Sequence, residues 1–336
     1  MSARRTSSGG NRRRETSKKR GKGRGQDKEN VEPVLTDDEI RSGEPGRVVA
    51  HHGVAVLIRF DAGGERQIWL LPDQRAVTGD RVVVVRDRLA VLPARGVLRR
   101  FDARGRERTI ATNLDVLGIV IAPEPREPPG YIDRGFVIAR AAGIEPILIL
   151  NKMDLDPSAE LAERLIEIYG GSSEVLLVSA QTGRGVAELS KSIEAGKLGA
   201  LVGPSGVGKS SLLNALVPDL ELVVSGLNRG SQKGRHTTTT ATIHDLPDGG
   251  LLVDTAGFKD FIAVDLDTGE AAQFFPGFES VLDAGCRFRD CLHRSEPGCC
   301  VLAAVEEGVV DARRHRSYVQ LLDELVELGE SAKRSR

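Results

Sequence analysis

The sequence predicts an α/β fold built on a mainly parallel sheet with helices on both faces, with a small β-barrel before it and a metal-stapled helical segment after it. Three observations predict this. Between residues 115 and 257, continuous apolar runs alternate with helical patterns, the signature of a parallel sheet with crossover helices. Residues 46–93 hold short Val-, Ile- and Leu-rich runs broken by turn signals, with no helical periodicity between them. All four cysteines lie between Cys286 and Cys300, a clustering that favours a metal site in a reducing compartment over a disulfide scaffold.

Length and composition set the bounds. A chain of 336 residues with 40% hydrophobic and 28% charged residues suits two or three globular domains. The net charge of -1 hides an asymmetry. Residues 1–30 carry 11 Lys and Arg against 3 Asp and Glu, leaving 36 of the 47 basic and 45 of the 48 acidic residues for the rest. This head has almost no apolar side chains to offset the entropy of ordering, so residues 1–40 are expected to form a basic, disordered arm. Such an arm suits nucleic acid or another anionic surface, or serves as a solubilising tail. Its Lys-Gly clusters and lack of an amphipathic stripe argue against a transit peptide. The basic start leads into no apolar segment, and no apolar run of about 18 residues occurs. No secretion and no membrane span are expected, and the chain reads as cytoplasmic and monomeric.

The barrel, residues 41–95, is assembled from "RVVAHHGVAVLIRF", "RQIWLLP" and "DRVVVVRDRLAVL", punctuated by "DAGG" at 61–64 and "TGD" at 78–80. Closure removes exposed strand edges. The pattern fits an OB-type barrel first and an SH3-like barrel second. Its few aromatics, Phe60 and Trp69, read either as core or as base-stacking residues.

The central region, residues 105–275, opens with "DVLGIVIA" (115–122), a buried parallel strand. A helix follows at 131–143, a strand at 145–152, and an amphipathic helix at 158–170 with Ser158 as its N-cap. Strands at 174–180 and 198–203 flank a helix opening at 185, and a further helix starts near Lys209. "TIHDL", "PDGG" and "LLVDTAG" (242–257) read as a hairpin, which makes the sheet mixed. Residues 276–336 hold the Cys/His cluster and end in the helical pattern of 314–328.

Three motifs carry the chemistry. Gly203, Pro204, Ser205, Gly206, Val207, Gly208, Lys209 and Ser210 match G-x-x-x-x-G-K-[ST] between a strand and a helix, and Ser211 continues into the helix. The glycines let backbone N–H groups converge on phosphates, aided by the helix N-terminus. Lys209 is expected to reach the β/γ-phosphates and the Ser210 hydroxyl to ligate Mg²⁺. Asp254-Thr-Ala-Gly257 closes a later strand, where Asp254 suits the Mg²⁺ shell and the Gly257 amide the γ-phosphate. Asn151, Lys152, Met153 and Asp154 also sit at a strand end, where open α/β sheets bind ligands. The Asp154 carboxylate can accept from guanine N1–H and N2–H₂, a pair adenine lacks. The backbone at Ser179-Ala180 can donate to guanine O6.

The base reader precedes the phosphate loop, the reverse of the usual GTPase order. Reader, Ser179-Ala180, phosphate loop and D-T-A-G in this order resemble circularly permuted GTPases. The preceding barrel, "ATNLD" (111–115), "GPSGVGKSSLLN" (203–214), "GRHTTTT" (234–240) and "CRFRDCLHRSEPGCCV" (286–301) narrow the resemblance to the ribosome small-subunit-dependent GTPase A family. It covers the whole chain beyond the basic head. The resemblance implies an OB barrel, a permuted P-loop GTPase domain and a C-terminal zinc-binding helical domain. It also implies GTP hydrolysis stimulated by the small ribosomal subunit during its late maturation, with rRNA and GTP/GDP as partners.

The metal set can also be argued from donor types. Cys286, Cys291, His293 and Cys299 form C-x₄-C-x-H-x₅-C, a closed Cys₃His set suited to one structural Zn²⁺. Cys300 could replace Cys299 by spacing, and the family pattern favours Cys299. Hydrolysis residues are less evident. Phe258 stands where Ras-type enzymes carry a water-orienting Gln, so slow intrinsic turnover is expected. The resemblance suggests His236 as the catalytic substitute, with rRNA or solvent contact as its alternative role. A Thr within 237–239, Thr238 at its centre, is the candidate to close on Mg²⁺ and the γ-phosphate. Because the chain beyond Gly257 leads to the zinc domain, a γ-phosphate-dependent shift there is expected to move that domain. Two rival readings fit the same motifs: a permuted GTPase serving the large subunit or another RNA, and an RNA-binding module with a structural nucleotide. Intact Lys209, Ser210 and Asp254 argue against the second.

Overall fold

The structure is a computed structural model that describes residues 35–101, 106–217, 220, 241–254 and 266–334. His236, Thr238, Gly257 and Phe258 therefore lie outside the described residues, as does the arm up to residue 34.

The first element is a short helix, α1 (Asp37–Ser42), which straddles the boundary at residue 40, so the last residues of the stretch expected to be disordered are helical. Its sequence explains it. Thr36 and Glu39 form a reciprocal capping box, and Asp37, Asp38 and Glu39 place acidic charge on the first turn. Glu39 also pairs with Arg88 at 2.5 Å, which ties the helix to the strands that follow.

Five antiparallel strands come next: β1 (Glu44–His51), β2 (Ala55–Phe60), β3 (Glu65–Trp69), β4 (Arg81–Val85) and β5 (Arg88–Val91). Alternate residues point inward. Val48, Val56, Ile58, Ile68, Val82, Val84 and Leu89 form a core of their own. Phe60 is packed against that core, whereas Trp69 projects outward with 66% of its surface exposed. A hairpin that no apolar run in the sequence announces follows, β6 (Leu98–Phe101) and β7 (Glu107–Ala111).

The central sheet contains β8 (Val116–Ile121), β9 (Glu145–Leu150), β10 (Val175–Leu177), β11 (Leu198–Val202), β12 (Thr242–Asp245) and β13 (Leu251–Asp254). Its order is β10-β9-β8-β11-β13-β12, parallel except for the antiparallel pairing of β12 with β13. This is the mixed sheet that the hairpin at 242–257 implied. It continues into β1–β5, because β12 meets β1 at Ala50↔Thr242. Thr78 Oγ1 donates to the Ala241 carbonyl at 2.8 Å and Arg59 pairs with Asp245 at 2.7 Å beside that join.

Strand alternation feeds two cores. Leu117, Ile119 and Ile121 of β8 face α2 (Tyr131–Ala141) and α3 (Ser158–Tyr169). Val116 and Val120 face the other way, toward α4 (Val186–Ser192) and α5 (Lys209–Leu216). Ser158 does not cap α3. Pro157 holds the N-cap position and Ser158 Oγ donates back to the Leu155 carbonyl, a one-residue difference of the kind helix ends show.

The C-terminal part comprises α6 (Ala271–Phe274), α7 (Glu279–Leu282), α8 (Cys300–Glu306) and α9 (Ala312–Arg334). Phe275, Phe278 and Tyr318 are buried with ring centroids 4.7–5.2 Å apart, spacings at which aromatic pairs attract. Val137 of α2 belongs to this core, so α2 lies between the sheet and the C-terminal helices. Buried polar contacts reinforce the junction. Tyr169 donates to Asp133 at 2.9 Å, and Arg314 lies 3.7 Å from the same carboxylate and over the Tyr169 ring. Burial pushes the Asp133 carboxyl above its usual range. Arg134 pairs with Glu324 across the junction. The C-terminal helices are thus fixed to α2; the segment after Asp254 that was expected to move them lies outside the described residues. Among the described residues no helix is long and apolar enough to cross a membrane.

Candidate functional site

Parallel order brings the motif loops to one edge of the sheet. β9, β10, β11 and β13 end in Asn151–Asp154, Ser179-Ala180, the loop 203–208 and Asp254 respectively. The carboxyl ends of parallel strands are where open α/β sheets place ligands.

Asn151 joins two of these loops. It is 1% exposed. Its Nδ2 donates to the Val207 carbonyl at 2.8 Å, and its Oδ1 accepts from the Ala180 N–H at 3.2 Å. Gly208 sits at φ +96°, and a Cβ there would overlap Asn151 Nδ2, so this glycine is required for both backbone conformation and space. Asn151 and Val207 are 56 positions apart in the chain, and one carboxamide holds their loops in register.

The reader loop is ordered by its own bonds. Met153 N–H donates to the Val178 carbonyl at 3.1 Å, and its half-buried side chain packs on the core. Ser179 Oγ donates to Asp154 Oδ1 at 2.5 Å while accepting from the Thr182 N–H at 3.2 Å. Asp154 is otherwise exposed, leaving the rest of its carboxylate available to an incoming donor pair. Lys152 adopts φ +63° and donates to the Glu124 carbonyl at 2.7 Å, which brings the 122–130 connection beside the reader. The contributions of Glu124 and Thr182 come from backbone atoms. No side-chain pattern in the sequence could have marked them.

In the phosphate loop, Gly203 and Val207 are buried and Ser205 and Gly206 exposed. Lys209 Nζ donates to the carbonyls of Gly203 and Pro204 at 2.6 and 2.9 Å, which curls the side chain over the loop. Ser210 is exposed on the first turn of α5, and Ser211 is half-buried behind it. Asp254 ends β13 opposite Thr242. The arrangement offers a glycine-rich loop at a helix N-terminus, one lysine, one hydroxyl and one carboxylate, the inventory for a polyphosphate with a hard divalent cation. A polyphosphate held here would bring Mg²⁺ with it, and Ser210 and Asp254 fit that ion as oxygen donors.

A second cluster lies in the C-terminal part. Cys286, Cys291, His293 and Cys299 place one donor atom each within 4.8 Å of all the others and could hold a metal ion. The His293 donor is Nδ1, at 3.4, 3.7 and 3.3 Å from the sulfurs of Cys286, Cys291 and Cys299. Cys286 and Cys299 sulfurs are 4.0 Å apart. Tetrahedral bonds of about 2.3 Å to sulfur and 2.0–2.1 Å to nitrogen require about 3.8 Å between sulfurs and about 3.6 Å between sulfur and nitrogen, so the donors fit. Burial lowers the His293 pKa and favours the neutral ring a metal needs. His315 Nε2 donates to the His293 carbonyl at 2.7 Å, holding the residue at φ +57°. Cys300 stands outside this four-donor set, its sulfur 3.2 Å from that of Cys286.

Comparison with known proteins agrees with the geometry. Residues 91–263 match the protein family described as RsgA GTPase. The chain is 41% identical over 293 residues to the small ribosomal subunit biogenesis GTPase RsgA of Chromohalobacter salexigens, covering 83% of this chain and 86% of that protein. It is 37% identical over 311 residues to the protein of the same name from Pseudomonas fluorescens, covering 88% and 89%. Among solved structures, YjeQ from Thermotoga maritima superposes with a TM-score of 0.69 at 30% identity, covering 84% of this chain and 98% of that one. YloQ, described as a circularly permuted GTPase, superposes with a TM-score of 0.65 at 25% identity, covering 87% and 98%.

Proposed function

The chain belongs to the RsgA GTPase family of GTP hydrolases, and from that premise we propose that it acts in late maturation of the small ribosomal subunit. The observation that carries the reading is the Asn151 bridge, which joins the loop 151–154 to the loop 203–208 and to Ala180 in permuted chain order. The named role of its relatives in small-subunit biogenesis supplies the substrate class.

In this proposal Asp154 and the Ala180 amide read the base, and Asn151 and Lys152 hold the reader in place. Residues 203–211 cradle the phosphates through backbone N–H groups, with Lys209 on the β/γ-phosphates. Mg²⁺, when bound, neutralises developing charge on the phosphates, with Ser210, Asp254 and Thr238 as its protein donors. His236 takes the water-orienting role that Phe258 cannot fill, and the Gly257 amide meets the γ-phosphate. One structural Zn²⁺ on Cys286, Cys291, His293 and Cys299 supplies a cross-link rather than chemistry, because all four tetrahedral positions are taken by protein.

The division into arm (1–40), OB-type barrel (41–95), permuted GTPase domain (105–275) and zinc domain (276–336) belongs to the same proposal. The cores around β1–β5, the central sheet and the C-terminal helices support this division in outline, although Val49 joins the sheet core and Val137 and α6 join the C-terminal one. The protein is cytoplasmic and monomeric, docks on rRNA in its GTP state and is released by hydrolysis.

Single-turnover hydrolysis of GTP, alone and with isolated small or large subunits, tests the reading. Slow turnover alone and marked stimulation by small subunits only are expected. An unchanged rate with bound small subunits sinks the assignment, and stimulation by large subunits alone transfers it to the other particle.

A further inference from the structure

The chain has four cysteines, and three of them belong to the candidate metal set. The fourth, Cys300, is the nearest recorded sulfur neighbour of Cys286, at 3.2 Å against 4.0 Å for Cys299. Its backbone N–H also donates to Cys286 Sγ at 3.3 Å. The burial pattern divides the four in the same way. Cys291 and Cys299 are buried, whereas Cys286 and Cys300 are both partly accessible. The two partly accessible cysteines are the two whose sulfurs lie 3.2 Å apart.

We propose that Cys286 and Cys300 form a peroxide-sensitive pair whose oxidation to a disulfide removes one of the metal's four ligands. This rests on the reading of Cys286, Cys291, His293 and Cys299 as a zinc site. A thiolate bound to metal shares its lone pair with the ion, while the Cys300 sulfur is not so engaged. Hydrogen peroxide meets this metal-free sulfur: the Cys300 thiol gives up its proton as its sulfur gains a hydroxyl to become a sulfenic acid, the peroxide O–O bond breaks, and water is released. The Cys286 thiolate then attacks the Cys300 sulfur. The S–S bond forms, the S–O bond breaks, and hydroxide leaves to be protonated to water. Closing the gap from 3.2 Å to a disulfide length requires an approach of about 1.2 Å, within reach of two side-chain rotations. Cys291, His293 and Cys299 remain, a three-donor set that holds zinc less tightly. A dithiol reductant returns both thiols and the fourth ligand.

The test uses the full chain. Zinc content of the untreated protein is measured first by elemental mass spectrometry; one equivalent is expected, and its absence overturns the zinc reading on its own. Zinc release under hydrogen peroxide is then followed with a chromophoric chelator, in parallel with peptide mapping of the cysteines. Expected results are a 286–300 cross-link with loss of two hydrogens, and release about tenfold slower in Cys300→Ala. Dithiol plus zinc should restore the starting content. Cys300→Ala places a good helix former at the first position of α8, and its melting temperature and zinc content control for folding. Equal release rates in both proteins, or mapping that finds Cys300 oxidised further with no cross-link to Cys286, overturn the proposal.

Discussion

Replacement of Asn151 by alanine is the most informative perturbation of the nucleotide site. The carboxamide is almost fully buried and makes one bond to each of two loops, at 2.8 and 3.2 Å. Alanine removes both and strands the Val207 carbonyl and the Ala180 N–H inside the protein. An unsatisfied buried partner costs about 1–3 kcal/mol, and with the longer bond weighted at the low end the pair costs about 3 kcal/mol. For domains of this class that lowers Tm by about 6–12 °C. The loops also lose their common register, so affinity for GDP should fall by about tenfold or more, equivalent to 1.4 kcal/mol. Asn151→Asp is a useful companion. It keeps the acceptor for Ala180 but turns a carboxylate oxygen on the Val207 carbonyl, so it should fare no better than alanine. Thermal scanning and calorimetric titration with GDP report the two effects separately. If Asn151→Ala binds GDP within about twofold of the native protein and melts within about 2 °C of it, the bridge does not couple the loops and the argument fails.

Two further outcomes follow from neighbouring groups. Asp154→Asn presents a donor where guanine also donates, so GTP affinity should drop by about 10²-fold, the equivalent of about 2.7 kcal/mol, while xanthine nucleotides gain; an unchanged preference in competition binding would remove Asp154 from base recognition. Asp80 is buried, accepting from Thr112 Oγ1 at 2.6 Å and the Val77 N–H at 2.8 Å. Burial pushes its carboxyl up against the opposing pull of those two donors. A raised folded-state value means that its contribution to stability is present below the unfolded value of about 3.9 and is lost as pH rises through the folded one. Asp80→Asn can keep both bonds by donating to Thr112 and accepting from Val77. Its Tm advantage over the native protein should therefore grow from pH 4 upward and then level off; a flat difference across that range would contradict the sign.

Much of the nucleotide site was legible because its chemistry is tied to short spacings at strand ends. Gly203–Ser210 and Asn151–Asp154 each announce a loop, and apolar runs on either side announce the strands that hold it. The Cys/His spacing was equally direct, because four donors within a short loop can hardly avoid one another. What stayed hidden was set by contacts between distant segments. The pairing of Asn151 with Val207 depends on β9 and β11 lying either side of β8, which no local pattern states. The place of α2 between two cores was hidden for a similar reason, since Phe136 and Val137 read alike as apolar but face different partners. The hairpin β6–β7 was missed because "LRRF" and "ERTIA" carry more charge than a buried strand allows. Trp69 could be core or surface by composition alone, and strand alternation with the buried Ile68 at the end of β3 places it outward.

The strand order has a consequence for synthesis on the ribosome. β8, β9 and β10 are made first and can pair among themselves, but β8 keeps one edge bare until β11 is made, because β11 is its other neighbour. Residues 122–197 must be translated in between, which takes about 4–15 s at 5–20 residues per second. β8 is buried along its entire length in the finished protein, so for that interval a fully apolar strand has an unpaired edge, the condition under which nascent chains associate wrongly. A permuted order thus leaves the ligand pocket intact at the end of folding while changing which edge waits during it. A nascent chain that has not yet reached residue 198 presents that edge to whatever it meets outside the ribosome.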